Sequence, residues 1–467
     1  MKKLLSIFMV AVLLVIAGCG TKADYSSEEV TTEETVTVKQ EQKVFTDFKY
    51  DFSKNPYYQK DNHNVVVAED GYYFVRNMSF NGVLDNFVNN EYQYVQGITD
   101  NKKYGKMIYY YDINTQEVTP LCSKTNCSHI SETCEAYFKN VPNEGFVYYN
   151  NHLYMRTYDI NAGISLVSYD KNGGNRKEES VICDNPEYQP FVGNNNDVCI
   201  LNDNVYSWAR RNITVNGDAG YEIVLYKTDI KTGETETILN IDETLTQYNN
   251  TENYNCDLQV ANDELYIKLC NYDDKEDMFT FILYKLDEQT GKPVELLRTM
   301  APRDCNNRSE GDSYAYMKGF AIDGSGNVFF VDELSGEQLI KKAKLCKYNI
   351  NTGEVKDVYD IGNLISYCVM CDNDRIYLET QVGNSASKLI ILDKDGNNIY
   401  TKAFGGLVHL VGLDERYVIV SLIDGNDFKD ETQIGSWAEV YRYAVLRKAS
   451  IGTGNEEWKQ MYDGLIL

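Results

Sequence analysis

Three cysteines and one histidine share one short stretch of the chain, and these residue types bind transition metals. Cys122, Cys127, His129 and Cys134 form the pattern C-x4-C-x-H-x4-C. Three thiolates and one imidazole can complete a tetrahedral site, so the cluster predicts a structural zinc or iron ion. The spacing differs from that of common zinc fingers, and in an exported protein a disulfide such as Cys122–Cys134 is the competing interpretation. The sequence leaves both open.

The chain has twelve cysteines, so other pairings need consideration. Cys256 and Cys270 flank the turn Asn262-Asp263 almost symmetrically, which predicts a disulfide across one hairpin. Cys368 and Cys371 form a C-x2-C on a strand that enters a turn. A thioredoxin-like redox site needs that motif at the start of a helix, so we do not expect redox chemistry there.

The first nineteen residues predict where the protein resides. Lys2 and Lys3 precede an apolar stretch, residues 4–17, that is short for a membrane-spanning helix but typical of a signal peptide. It ends in Ile-Ala-Gly-Cys, the pattern of a bacterial lipobox, with Cys19 as the residue that would be lipidated after cleavage. We therefore predict a signal peptide at 1–18 and a lipid anchor that holds the mature protein on the extracytoplasmic face of the cell membrane.

Composition and charge limit the partners. Residues 19–42 are rich in Thr, Ser and Glu and predict a disordered acidic tether. The net charge of −25 repels phosphate backbones, so we expect no nucleic-acid binding. We expect a monomer.

A hairpin signature recurs along the rest of the chain and predicts the elements that position the cysteines. Its clearest copy is Tyr348-Asn349-Ile350-Asn351-Thr352-Gly353-Glu354, and copies of varying strength begin at Tyr111, Tyr169, Thr228 and Leu286. A second signature, an Asn/Asp/Gly turn followed by an apolar and then an aromatic residue, also recurs seven times.

Together the two signatures predict an all-β fold, a seven-bladed β-propeller of four-stranded antiparallel blades at residues 43–467. Two unrelated β-sandwiches are the alternative. A strand near 44–52 could complete the last blade. The blades expected from the signatures are 64–121, 145–183, 197–241, 256–300, 317–360, 365–404 and 406–465.

Function follows less directly. In each blade the short turns are expected on one face of the propeller and the long segments on the opposite face. Long loops on a rigid scaffold are where binding usually resides. No Gly-x-Ser-x-Gly elbow, phosphate-binding loop or His-Glu-x-x-His is present, so no catalytic residues are assigned. The sequence favours a non-enzymatic surface lipoprotein that binds a glycan or protein partner through this long-loop face. A polysaccharide hydrolase or lyase, and an envelope assembly scaffold, stay open.

The combination of lipobox and cysteine element, Leu121 to Cys134, resembles a family of uncharacterised propeller-type lipoproteins from Gram-positive anaerobes. The turn at residues 323–332 is also similar to that of NHL- and TolB-like propellers. The family has no settled activity, so the resemblance implies location and fold rather than a reaction.

Overall fold

The computed structural model describes residues 65–80, 103–115, 117–129, 133–139, 146–159, 161–190, 198–215, 218–240, 255–261, 263–273, 278–287, 290–302, 320–334, 342–362, 365–382, 386–404, 407–414, 416–423 and 442–462. These residues belong to one compact unit, Phe45–Leu467. The predicted signal peptide, Cys19, the tether and the strand expected near 44–52 lie outside the described residues.

The described chain forms seven antiparallel sheets, each a meander of consecutive strands, and confirms the seven-bladed propeller. The strands of blades one to three are β1 (Val65–Val67), β2 (Gly71–Phe80), β3 (Lys103–Asp112), β4 (Val118–Pro120), β5 (Tyr137–Lys139); β6 (Phe146–Tyr149), β7 (His152–Asp159), β8 (Gly163–Asp170), β9 (Lys177–Cys183); β10 (Gln189–Pro190), β11 (Val198–Leu201), β12 (Asn204–Val215), β13 (Asp218–Asp229) and β14 (Thr235–Asn240). Those of blades four to seven are β15 (Asn255–Ala261), β16 (Glu264–Asp273), β17 (Met278–Asp287), β18 (Lys292–Pro302); β19 (Phe320–Ile322), β20 (Asn327–Leu334), β21 (Lys342–Asn349), β22 (Val355–Gly362); β23 (Ile365–Cys371), β24 (Arg375–Val382), β25 (Ala386–Asp393), β26 (Asn398–Phe404); β27 (Leu407–Leu413), β28 (Tyr417–Ile423), β29 (Arg442–Arg447) and β30 (Trp458–Tyr462). In the described ranges no helix has the length and apolarity needed to span a membrane.

The Thr-Gly-Glu signature forms the turn between the third and fourth strands of a blade. In blade five the side-chain oxygen of Asn349 accepts the N–H groups of Asn351 and Thr352, both at 3.0 Å. Gly353 then takes a φ of 71°, which L-residues with a Cβ adopt at a cost. The same side-chain capping recurs at Asp112 and Asp229. The turn residues therefore satisfy their own backbone.

The turn between the first and second strands lies on the same face. In blade five the N–H of Ile350 donates to the carbonyl of Gly326 at 3.0 Å, which ties the two turns of the blade together. The equivalent bond joins Ile113 to Asp70 in blade one at 3.0 Å. We call this side of the propeller the short-turn face.

The innermost strands form a closed ring. Each of β1, β6, β11, β15, β19, β23 and β27 contacts the next, and β27 contacts β1. Between blades one and seven, the hydroxyl of Tyr72 donates to the carboxylate of Asp414. Blade seven takes its four described strands from residues 407–462.

Tyrosine, abundant in the sequence, builds much of this packing. Tyr72, Tyr73, Tyr148, Tyr266 and Tyr377 are each at most 2% exposed. Between neighbouring blades, the rings of Tyr73 and Tyr148 stack with their centroids 5.8 Å apart. The tyrosines whose burial the structure describes are buried or half-buried, so they serve the core.

Candidate functional site

The cysteine cluster lies within the outer strand of the first blade. After β4 the chain leaves the sheet at Leu121 and returns at Ala136, and β5 then resumes pairing with β3. Both ends of the excursion bond to one residue: Leu121 N–H donates to the Ile108 carbonyl at 2.9 Å, and Ile108 N–H donates to the Ala136 carbonyl at 3.0 Å. We call residues 121–136 the cysteine loop.

This position corrects the blade boundary expected from the sequence. The cysteines were expected after the first blade, which was predicted to end at residue 121, but that blade continues to Lys139. The sequence pattern missed β5 because it has three residues and pairs with β3, some thirty residues earlier.

Other blades mark the same place with a β-bulge. In blade three the register shifts opposite Leu225, four residues before the turn residue Asp229, and in blade five it shifts opposite Leu345, four before Asn349. Ile108 is likewise four residues before Asp112. A bulge sets two residues against one, as Leu121 and Ala136 are set against Ile108. The cysteine loop is therefore an enlarged form of a bulge that the repeat already carries.

Two residues in the left-handed backbone conformation bend the loop back on itself. Asn126 has a φ of 65° and His129 a φ of 57°, and the N–H of Cys127 donates to the carbonyl of Lys124 at 3.4 Å. Asn and His enter this region more readily than most residues. The bend brings the first half of the loop over the second.

Side chains then fasten the two halves. Glu135 accepts the backbone N–H and the hydroxyl of Ser123 at 3.2 and 2.9 Å. The Lys124 ammonium donates to the carbonyl of Thr133 at 2.7 Å. Because these hydrogen bonds join the two halves of the loop, they hold in place the cysteine sulfur atoms and the histidine ring that lie between them.

The fold brings all four predicted metal ligands together. One donor atom from each of Cys122, Cys127, His129 and Cys134 lies within 4.8 Å of every other. His129 Nδ1 is 3.5 Å from Cys134 Sγ. Cys134 is buried, and the other three are half-buried. All three sulfur atoms belong to free cysteines.

The thiols differ in how readily they ionise. Burial acts to raise the pKa of Cys122, but backbone N–H groups of Lys124 and Glu135 and the neighbouring thiols outweigh it and lower that pKa. Burial raises the pKa of Cys134 to about 12, against a hydrogen bond from the backbone of Ala136.

The cysteine loop packs against the second blade at its short-turn face. Gly173, in the turn between β8 and β9, has a φ of 84°, and a Cβ there would stand 2.3 Å from the Leu121 carbonyl oxygen. Only glycine permits this approach. The first end of the cysteine loop therefore lies at the outer rim, against a turn of the short-turn face.

The structure does not bring Cys256 and Cys270 together. Across the β15–β16 hairpin, Cys256 pairs with Leu269, and Asn255 pairs with Cys270. Because successive side chains of a strand point to opposite faces, the two thiols lie on opposite faces of the sheet. Both are buried and free, and burial raises the pKa of Cys270 to about 12.

Two buried contacts between ionisable side chains lie near the ring of inner strands, and the sequence did not reveal them. Lys268 and Asp257 form an ion pair with side chains 0% and 3% exposed. His409 Nδ1 contacts the carboxylate of Glu379 in the neighbouring blade at 2.8 Å. Burial acts to raise the pKa of the Asp372 carboxyl, but the nearby Lys448 ammonium outweighs it and lowers that pKa.

No protein-family model matches the chain, and no curated protein sequence matches it. Among solved structures, it is similar to the propeller domain of the Trilobed protease from Pyrococcus furiosus at 10% identity, with a TM-score of 0.48, covering 87% of this chain and 98% of that one. It is similar to the acylaminoacyl peptidase of Pyrococcus horikoshii at 11% identity and a TM-score of 0.49, covering 87% of this chain and 52% of that one. A puromycin-hydrolysing peptidase of Mycobacterium tuberculosis is matched at 8% identity and a TM-score of 0.34, covering 86% of this chain and 62% of that one. At these identities the likeness concerns the fold alone.

Proposed function

We propose that the chain is a membrane-anchored, extracytoplasmic lipoprotein whose propeller binds a glycan or protein partner through its long-loop face, without catalysing a reaction. The observation that carries the proposal is the asymmetry of the connections. On the short-turn face the turns satisfy their own backbone and bond to each other. The longest connections leave from the other ends of the strands: residues 81–102, 241–254, 303–319 and 424–441.

The composition of those connections supports binding. They contain the tyrosine pairs Tyr92 and Tyr94, and Tyr314 and Tyr316, among many Asn, Asp and Ser residues. Tyrosine with small amide and hydroxyl residues is the composition of antibody binding loops, because Tyr offers a large contact area at low entropic cost. The described tyrosines serve the core instead, so these loop tyrosines are the ones to test.

The binding test compares the two faces. Soluble protein from residue 43 onward is applied to a glycan array, and the full chain is cross-linked in its native membrane to capture protein partners. We expect one of the two to yield a specific ligand, and we expect Tyr314→Ala with Tyr316→Ala to weaken its binding. The control is Asp395→Ala, an exposed residue of the short-turn face. The absence of a specific ligand in both screens, or an equal loss of binding in the control variant, would contradict the proposal.

The anchor is tested separately. Replacing Cys19 with Ser removes the sulfur that the lipobox pattern assigns to lipidation. We expect the wild-type protein to fractionate with membranes and to incorporate a labelled fatty acid, and the variant to do neither. Membrane association of the variant equal to that of the wild type would reject the lipid anchor.

A further inference from the structure

We propose that Cys122, Cys127, His129 and Cys134 bind one structural Zn²⁺ ion, which keeps the interrupted outer strand of the first blade in place. This inference is independent of the proposed binding function. In tetrahedral zinc sites the bonds are about 2.3 Å to sulfur and 2.0–2.1 Å to nitrogen, so neighbouring donors lie about 3.5–3.8 Å apart. Donor atoms within 4.8 Å of one another are close to that geometry.

The donor set favours zinc in a closed site. Three sulfurs and one imidazole nitrogen are the Cys₃His set of structural zinc sites. The nearby carboxylate of Glu135 already accepts two hydrogen bonds from Ser123. With four protein ligands the ion keeps no position for substrate, so its role is structural rather than catalytic.

The four side chains together favour a metal over a disulfide. All three cysteines of the cluster are free, and each places its sulfur atom within the same small group as a His129 ring nitrogen. A disulfide between two of the thiols would leave the third thiol and His129 without a shared partner.

The location explains why a metal is useful here. Outer strand β4 has three residues and β5 has three, and both pair only with β3. Such short pieces bring few ladder bonds against the entropy of closing the loop between them. A metal that links Cys122, next to β4, with Cys134, next to β5, shortens that loop. It also holds Leu121 against Gly173 of the second blade.

The first test is metal content. The full chain, purified under reducing conditions with zinc in the medium, is analysed by mass spectrometry for metals. We expect stoichiometric zinc, its loss in Cys122→Ser, and its retention in His129→Cys, which supplies a fourth thiolate. The matched control is Cys371→Ser, a half-buried free thiol outside the cluster, which should keep its zinc. Absence of zinc, iron in its place, or a Cys122–Cys134 disulfide in peptides of wild-type protein purified without reductant would overturn the proposal.

The second test needs no substitution and so does not depend on a variant folding. Lys124 is the sole trypsin site within the cysteine loop. We expect a chelator to raise the rate of cleavage after Lys124 at least tenfold, and zinc to restore protection. Cleavage at this bond is followed by peptide mass spectrometry. An equal rate with and without chelator would show that no metal holds the loop.

Discussion

A buried ion pair joins blades six and seven, and its removal should be among the most costly single changes in the described core. Asp372 is 5% exposed and accepts the N–H groups of Asp374 and Arg375 at 2.9 and 2.8 Å. Its other oxygen accepts the hydroxyl of Tyr377 and the ammonium of Lys448, both at 2.7 Å. Arg375 in turn donates to the Lys448 carbonyl at 2.7 Å.

Asp372→Ala removes the carboxylate and leaves the Lys448 ammonium buried. Losing one partner of a buried pair costs about 3–5 kcal/mol, and the unpaired N–H groups of the turn place this variant at the upper end. Lys448→Met keeps three of the four hydrogen bonds to Asp372, so we expect about 3 kcal/mol. The double variant leaves no unpaired charge at this pair. Its loss of unfolding free energy should therefore be about 2 kcal/mol smaller than the sum of the losses in the two single variants.

The control is Asp414→Ala in blade seven. Asp414 is 7% exposed and accepts the N–H groups of Arg416 and Tyr417 and the hydroxyl of Tyr72, but no lysine pairs with it among the described residues. We therefore expect a smaller loss than for Asp372→Ala, about 2–3 kcal/mol. Urea denaturation followed by circular dichroism gives the free energies of unfolding. Equal losses at both positions, or strict additivity in the double variant, would refute the charge-pair reasoning.

Three further outcomes are expected. The partners of Asp372 lower its pKa, so the stability that this group contributes is complete above the unfolded pKa of about 3.9 and is lost as the pH falls below that value. We therefore expect the urea concentration at the unfolding midpoint to decrease at pH values below about 4, and Asp372→Asn to make that decrease smaller. Gly353→Ala, at a φ of 71° with open space, should cost about 1–2 kcal/mol, whereas Gly396→Ala should cost more, because its Cβ would stand 2.2 Å from the Val358 carbonyl oxygen; thermal unfolding compares the two. Tyr72→Phe removes the hydroxyl between blades one and seven and should cost about 1.5–3 kcal/mol in the same assay, and no change would mean that this bond does not stabilise the ring.

The sequence predicted the repeat well because its signatures are local. The cap by Asn349 and the left-handed Gly353 are properties of a few adjacent residues, so turn chemistry alone identified the blade count. Partners distant in sequence leave no such pattern. Asp372 and Lys448 are 76 positions apart, and nothing local marks them as a pair.

The candidate site was predicted in part. The spacing of the four donors identified the cluster, and the structure brings them together. Its place inside a strand was missed, because the pairing of β5 with β3 is tertiary. For Cys256 and Cys270, near-symmetry about the turn suggested contact, but the register is displaced by one residue, and a single step reverses the face of a side chain.

The bulge in the outer strand makes the repeat tolerant of insertions. On both sides of the cysteine loop β3 keeps its outer partners, so added residues leave the rest of the blade in register. The extra residue at the bulge in blade five is Val358, and in blade three it is Ile238. At these positions a blade can be lengthened at its rim without a shift in the register of its inner strands.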